Sequence, residues 1–320
     1  MKRNAKLGFE PQALSIKSQP SAPKVLFIVG PTASGKSAVG LQVAQRLNGE
    51  IVCADSQTIR RKLSIGTAKP NSTERKKVPH HLIDIIEPYD TFNVAQFQLL
   101  AKKVIADVQS RGKVPIIVGG TGLYVDALFY DYTIGEHIST KHQDKLDDYT
   151  VESLQKMVTE AGYAMPVNSQ NKRHLIGVLR RGGKTPEDKR PIPGAYIYGL
   201  KLADDELKKR IGFRVDAMFS EGFIDEVKEV IEIYGEPPQQ FDAIGYTIAA
   251  EVLKGSMSEE EAKQQIVRAT WQYARRQKSW FKRNLCIQWF ETPDTATEYI
   301  CKDMASLLNK PVTIDMKEGK

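Results

Sequence analysis

Gly30-Pro31-Thr32-Ala33-Ser34-Gly35-Lys36-Ser37 decides the fold. It satisfies G-x-x-x-x-G-K-[ST] at every fixed position, the pattern of a loop whose backbone amides cradle a diphosphate. Val25-Leu26-Phe27-Ile28-Val29 ahead of it reads as a buried strand, and Ala38 to Ala44 behind it reads as a helix. In that setting the loop amides and the helix N-terminus both face the phosphates. Gly30, Thr32, Ala33, Ser34, Gly35, Lys36 and Ser37 are therefore the candidate diphosphate-binding residues. Lys36 brings a mobile charge and Ser37 a hydroxyl for Mg²⁺. A plain glycine turn between a core strand and a helix does not account for Gly, Lys and Ser at this spacing.

Downstream, Ile51-Val52-Cys53-Ala54 reads as a second buried strand that delivers Asp55-Ser56-Gln57 to its C-terminal end, where parallel sheets place their ligands. A helix is expected from Val94 to Arg111. Val114 to Val118 is expected as a third strand, ending in Gly119-Gly120-Thr121-Gly122-Leu123-Tyr124, and Ala195 to Leu202 as a further one. This alternation predicts an α/β fold with a parallel sheet flanked by helices. Between 131 and 193 the texture shifts to charges, glycines and short helical runs, which suits a small helical insertion domain. The core is then expected at 24–130 and 194–308, with a flexible extension at 1–23 and a tail at 309–320.

The chain has 320 residues and a formal net charge of +7, compatible with a polyanionic partner. Three widely spaced cysteines imply neither a disulfide framework nor a zinc site and suit a reducing compartment. No run approaches the roughly 18 apolar residues of a membrane helix, and the first residues lack a secretory apolar core. A cytoplasmic protein with no membrane partner is expected. Lys263 to Arg283 carries Lys263, Arg268, Arg275, Arg276, Lys278, Lys282 and Arg283 without an acidic residue, interleaved with Trp271, Tyr273, Trp280 and Phe281. Such a segment can hold RNA phosphates and stack unpaired bases, or it can be a basic amphipathic helix with its aromatics in the core. Both uses are compatible. Trp280 and Phe281 are expected in the core; Arg275, Arg276 and Lys278 are expected to face solvent or RNA.

The order of motifs resembles one family, the tRNA dimethylallyltransferases. The phosphate loop, Ile65-Gly66-Thr67-Ala68-Lys69-Pro70, His80-His81-Leu82-Ile83-Asp84-Ile85 and Val118-Gly119-Gly120-Thr121-Gly122-Leu123-Tyr124 are similar to its landmarks, in its order. So are the Arg210 to Gly222 block, Ala243-Ile244-Gly245-Tyr246 and Tyr273 to Phe281, so that the likeness runs from Val25 to Trp289. The resemblance implies a P-loop NTPase-like fold and transfer of a dimethylallyl group from dimethylallyl diphosphate to N6 of adenine 37, in the anticodon loop of tRNAs reading codons that start with U. It further implies Mg²⁺ as cofactor and a tRNA anticodon stem-loop as partner; the protein itself is expected to be a monomer. Asp55 is the expected general base, Arg214 reaches the diphosphate and Thr121 its bridging oxygen. Asp55, Ser56, Gln57, Thr58, Arg173, Gly245, Tyr246, Arg275, Arg276 and Lys278 are the expected tRNA contacts.

Thr58, Arg60, Lys62 and Ser64 stand where the family usually has Gln, Tyr, Gly and Asp, and likeness is weak from Leu128 to Tyr196. Asp84 and Glu87 are expected to structure loops; His80 and His81, without other ligands at metal spacing, are expected to be structural or RNA-adjacent rather than metal-binding. Three rival readings share parts of the pattern: a P-loop small-molecule kinase, an adenylate isopentenyltransferase using free nucleotides, and a non-catalytic RNA-binding protein. Intact Lys36, Ser37, Asp55, Thr121 and Arg214 speak against the last.

Overall fold

Strand β1 (Val25–Val29) is buried on both faces, and the rest of the molecule is arranged around it. In the computed structural model, residues 24–132, 146–180, 182–183, 190–238 and 241–308 are described. β1 is joined by β2 (Gly49–Cys53), β3 (His80–His81), β4 (Val114–Gly119), β5 (Ala195–Leu200) and β6 (Gln288–Phe290) in a parallel sheet of order β3-β2-β4-β1-β5-β6. The chain leaves β1 toward one edge for β2, β3 and β4, then returns to its other side for β5 and β6. The crevice at the C-terminal end of β1 therefore lies at the topological switch point.

Alternate side chains of β1 enter two different cores, as period-two geometry requires. Leu26 and Ile28 pack with Val39 and Val43 of α1 (Lys36–Arg46), Ile211 of α7 (Asp204–Ser220) and Ile300 of α11 (Pro293–Leu308). Val25, Phe27 and Val29 pack with Phe97 of α3 (Val94–Ser110) and Leu128 of α4 (Gly122–Phe129) on the other face. Each such side chain contributes roughly 1.5–3 kcal/mol of transfer free energy. Cys53 is buried on the α1 side.

Two smaller cores complete the molecule. Val215 and Met218 of α7, Phe223 and Val227 of α8 (Phe223–Tyr234), Tyr246 of α9 (Tyr246–Leu253) and Ile266 of α10 (Glu259–Phe281) pack with Leu63. Leu154 and Val158 of α5 (Val151–Glu160) pack with Leu175, Ile176 and Val178 of α6 (Lys172–Arg180) in a cluster of their own. At the root of this second pair, Ile192 N donates to Phe129 O at 2.9 Å. Helix α10 is well specified: Ser258 and Glu261 form a capping box, acidic residues fill its first turn and Lys278 its last. A short helix α2 (Ser72–Lys77) is likewise boxed by Asn71 and Glu74.

The strand at 25–29 lies where the sequence places it, whereas β2 starts at Gly49 and ends at Cys53, two residues before and one residue short of the expected 51–54. Val114 to Gly119 is fourth rather than third in order, because His80–His81 adds an edge strand beside β2. β5 ends at Leu200, short of the expected Leu202, and β6 was not expected. Strands of two or three residues are too short to show alternation. The extension 1–23 and the tail 309–320 lie outside the described residues.

Candidate active site

The loops that follow β1 and β2, together with the end of β4, meet at one cavity of about 520 Å³, closed on its other sides by the 66–70 loop, α7 and α10. The phosphate loop turns into α1 through Gly35, whose φ of +93° is a left-handed conformation suited to glycine. A Cβ there would also come within 2.9 Å of Pro293 Cγ. The first-turn amides of α1 have no intrahelical partner and face an anion readily. Thr32, Ala33, Gly35, Lys36 and Ser37 line the cavity. Gly30 and Ser34 do not; they shape the loop from behind. Ser34 is fully buried, and a Cβ on Gly30 would come within 3.0 Å of Leu200 O.

Lys36 Nζ donates to Pro31 O at 3.2 Å. Burial, and secondarily the Arg214 cation, push its pKa down to about 8 against the opposing pull of Asp55. Arg214 Nη1 donates to Thr32 Oγ1 at 2.8 Å, and burial lowers its pKa while Asp55 raises it. A carboxylate and two cations thus share one half-buried space. Asp55 lines the cavity with Oδ1 held by Gln57 N (2.8 Å) and Thr58 N (3.4 Å). Thr121 Oγ1 accepts from Ser56 N at 3.0 Å, tying the β4 loop to the residue after Asp55. Tyr273 and Arg276 of α10 also line the cavity; the Arg276 guanidinium lies over the Tyr273 ring at 5.7 Å. Burial raises the Tyr273 pKa.

The expected RNA contacts divide. Ser56, Gln57 and Thr58 line the cavity beside Asp55. Arg275 and Arg276 are exposed on α10; Arg173 is exposed on α6, outside the cavity. Gly245 and Tyr246 are corrected. Both are buried, and Tyr246 packs edge-on against Phe223 at 5.2 Å while its hydroxyl donates to Glu226 at 2.6 Å. Lys278 is partly exposed on α10, and its ammonium pairs with Asp204. Trp280 and Phe281 turn inward as expected, with Trp280 Nε1 donating to Asp126 at 2.9 Å.

Of the four departures, only Thr58 lines the cavity. Arg60 is buried and donates to Pro88 O (2.6 Å) and Asp90 O (2.9 Å). Lys62 has φ +64° and its ammonium meets Glu229 at 2.8 Å. Ser64 N joins Ile65 N and Gly66 N on one carboxylate, Glu226, at 2.8, 2.7 and 3.1 Å. Glu226 therefore anchors the 64–66 segment of the cavity wall to α8. Asp84 pairs with Lys69 and Arg75, and Glu87 with Arg61 and Tyr234, as loop-structuring residues. His81 bonds Glu50, a buried carboxylate also held by the Arg111 fork and Lys113. Glu226 and Gln277 leave no sign in the sequence, because the backbone groups they bind lie more than 150 residues away.

A family model described as IPP transferase matches residues 58–284. A protein of Anoxybacillus flavithermus named tRNA dimethylallyltransferase is 38% identical over 288 residues, covering 86% of this chain and 93% of that one. The crystal structure of a tRNA isopentenylpyrophosphate transferase from Bacillus halodurans has a TM-score of 0.69 at 35% identity, covering 89% of this chain and 96% of that one. A eukaryotic dimethylallyltransferase acting on tRNA has a TM-score of 0.76 over 92% of this chain and 82% of that one; at 24% identity this likeness speaks to the fold alone.

Proposed function

The chain belongs to the IPP transferase family, and we propose that it transfers a dimethylallyl group from dimethylallyl diphosphate to the exocyclic N6 of adenine 37 in the tRNA anticodon loop. The observation that carries this reading is the meeting, in one cavity, of the phosphate loop, the Asp55 carboxylate and the Tyr273–Arg276 face of α10. A small-molecule kinase would share the first two and has no use for the third. An enzyme of free adenine nucleotides would not need Arg275 and Arg276 exposed along the same helix.

The reaction breaks the allylic carbon–oxygen bond and sends its electron pair to the diphosphate. Lys36, Arg214 and the first-turn amides of α1 stabilise that growing charge. Thr121, whose Oγ1 accepts from Ser56 N, is the residue proposed to serve the bridging oxygen. The N6 lone pair forms the new carbon–nitrogen bond, and the amine proton passes to Asp55. Oδ1 of Asp55 is engaged with backbone amides, so Oδ2 is the basic oxygen. Ser56, Gln57 and Thr58 surround the base, while Arg275 and Arg276 hold RNA phosphates.

Among the described residues no group of three His, Cys, Asp or Glu side chains forms a metal cage. Mg²⁺ usually keeps waters and binds through few protein groups plus substrate phosphates, and a single hydroxyl beside the diphosphate cradle suits that. Ser37 is exposed at the cavity wall and would hold it, where the ion would neutralise diphosphate charge. Among the described residues no helix is long and apolar enough to cross a membrane. A cytoplasmic monomer, with 131–193 inserted into the core as a separate domain, completes the reading.

The test is purified protein with Mg²⁺ and labelled dimethylallyl diphosphate, offered tRNA, AMP or no acceptor, with ATP consumption followed in parallel. Label is expected in tRNA alone. Label in AMP would favour the free-nucleotide enzyme, and ATP turnover the kinase.

A further inference from the structure

Gln277 follows the exposed Arg275 and Arg276 on α10, yet its side chain points inward and is only 5% exposed. Its Oε1 accepts from Thr32 N at 2.8 Å and its Nε2 donates to Gly120 O at 2.9 Å. One amide thus ties the phosphate loop to the loop after β4. The fit is close: a Cβ on Gly120 would come within 2.3 Å of Nε2, so a glycine is what admits the amide. The two partners also fix its orientation, since a flipped amide would set donor against donor and acceptor against acceptor.

The clasp has consequences on both sides. It turns Thr32 N away from the ligand, and Ser34 N is turned away by Pro31 O at 3.3 Å. The first-turn amides of α1 are thereby left to meet the diphosphate. On the other side, Gly120 precedes Thr121, whose hydroxyl holds Ser56 N next to Asp55. We infer that Gln277 is a positioning residue that sets the spacing between the diphosphate cradle and the Asp55–Thr121 side of the reaction, an inference resting on the function proposed above. It touches no substrate; it acts through two loops that do.

The experiment uses the full chain with Gln277→Met and Gln277→Glu, measuring kcat, KM for both substrates and thermal unfolding, with an anticodon stem-loop RNA as acceptor. Met keeps the volume and loses both bonds. Its kcat is expected to fall roughly 10²-fold, the scale of an ångström-sized misplacement. KM for RNA should stay within about twofold, because Arg275 and Arg276 are untouched. As a carboxylate, Glu keeps the bond from Thr32 N but repels Gly120 O; as a neutral acid it can make both. The kcat of Gln277→Glu relative to wild type is therefore expected to climb as pH falls from 8 to 5.5, while that of Gln277→Met stays flat. A folded Gln277→Met with near-normal kcat, whatever its melting temperature, would show that the residue only packs α10 and overturn the inference. If Gln277→Met does not fold, the pH profile of Gln277→Glu decides, and a flat one overturns the inference. A wild type that transfers nothing sinks the proposed function; an active wild type matched by Gln277→Met sinks this inference alone.

Discussion

Replacing Asp55 with Asn separates chemistry from architecture. Oδ1 accepts from Gln57 N at 2.8 Å and from Thr58 N at 3.4 Å, and an asparagine oxygen can make both bonds. Asn and Asp serve such turn positions about equally, so stability should change by less than about 1 kcal/mol. The other oxygen becomes an NH₂ that cannot take a proton, and the chemical step should fall roughly 10²–10⁴-fold. The variant also removes the charge that raises the Lys36 pKa, so Lys36 will titrate below its present value of about 8. The assay therefore belongs at pH 7 or below, as single turnover with saturating RNA and dimethylallyl diphosphate. Pyrophosphate affinity, followed by calorimetry, should hold or tighten, because a nearby negative charge has gone. A single-turnover rate within threefold of wild type would remove Asp55 as the base. A rate loss accompanied by a large drop in melting temperature would point to a turn residue instead.

Three further outcomes are expected. Ligand binding restores full charge to Lys36, so pyrophosphate binding takes up a proton above pH 8 and weakens about tenfold per pH unit there; titration in buffers of different ionisation enthalpy reads this, and Lys36→Ala should abolish it. Arg275→Gln with Arg276→Gln should lower the log–log salt slope of tRNA binding by roughly 0.7–0.9 per lost contact, whereas Lys278→Gln, whose parent is paired with Asp204, should leave the slope unchanged. Hydrogen bonds from Arg111, then Lys113 and His81, hold the Glu50 carboxyl well below the usual range against burial, so its stabilisation is present above the ordinary carboxylate pKa and lost as pH falls. Glu50→Gln should cost about 1–3 kcal/mol at pH 7, less than the 3–5 of a stranded buried charge, because Arg111 and Lys113 keep 40% and 31% of their side chains exposed; urea unfolding should show the gap narrowing at pH 3.5.

The parts of the site that were legible in the sequence are those whose chemistry is local. Gly30 to Ser37 needs its residue types at fixed spacing, next to an apolar run whose pattern marks the strand. Asp55 follows from lying at the end of the next apolar run. Tyr246 was misread because a tyrosine in a motif has the same letter whether it meets a base or packs on Phe223. The pairing of Lys278 with Asp204 left no sign, because that partner comes 74 residues earlier. Gln277 and Glu226 act on backbone groups of distant loops, and the amides they bind leave no mark on the sequence. β3 and β6 gain their strand character from the neighbours they pair with, not from their own few residues.

The bond from Ile192 N to Phe129 O brings together two points between which the chain makes a long excursion. Closing such an excursion costs entropy that grows only with the logarithm of its length, by about 0.6 kcal/mol per doubling. The sheet is therefore nearly blind to how many residues pass between those two points, or to what they spell. Lineages could lengthen, shorten or rewrite that stretch at little thermodynamic expense to the sheet, leaving it free to drift while the loops around the cavity stay as they are.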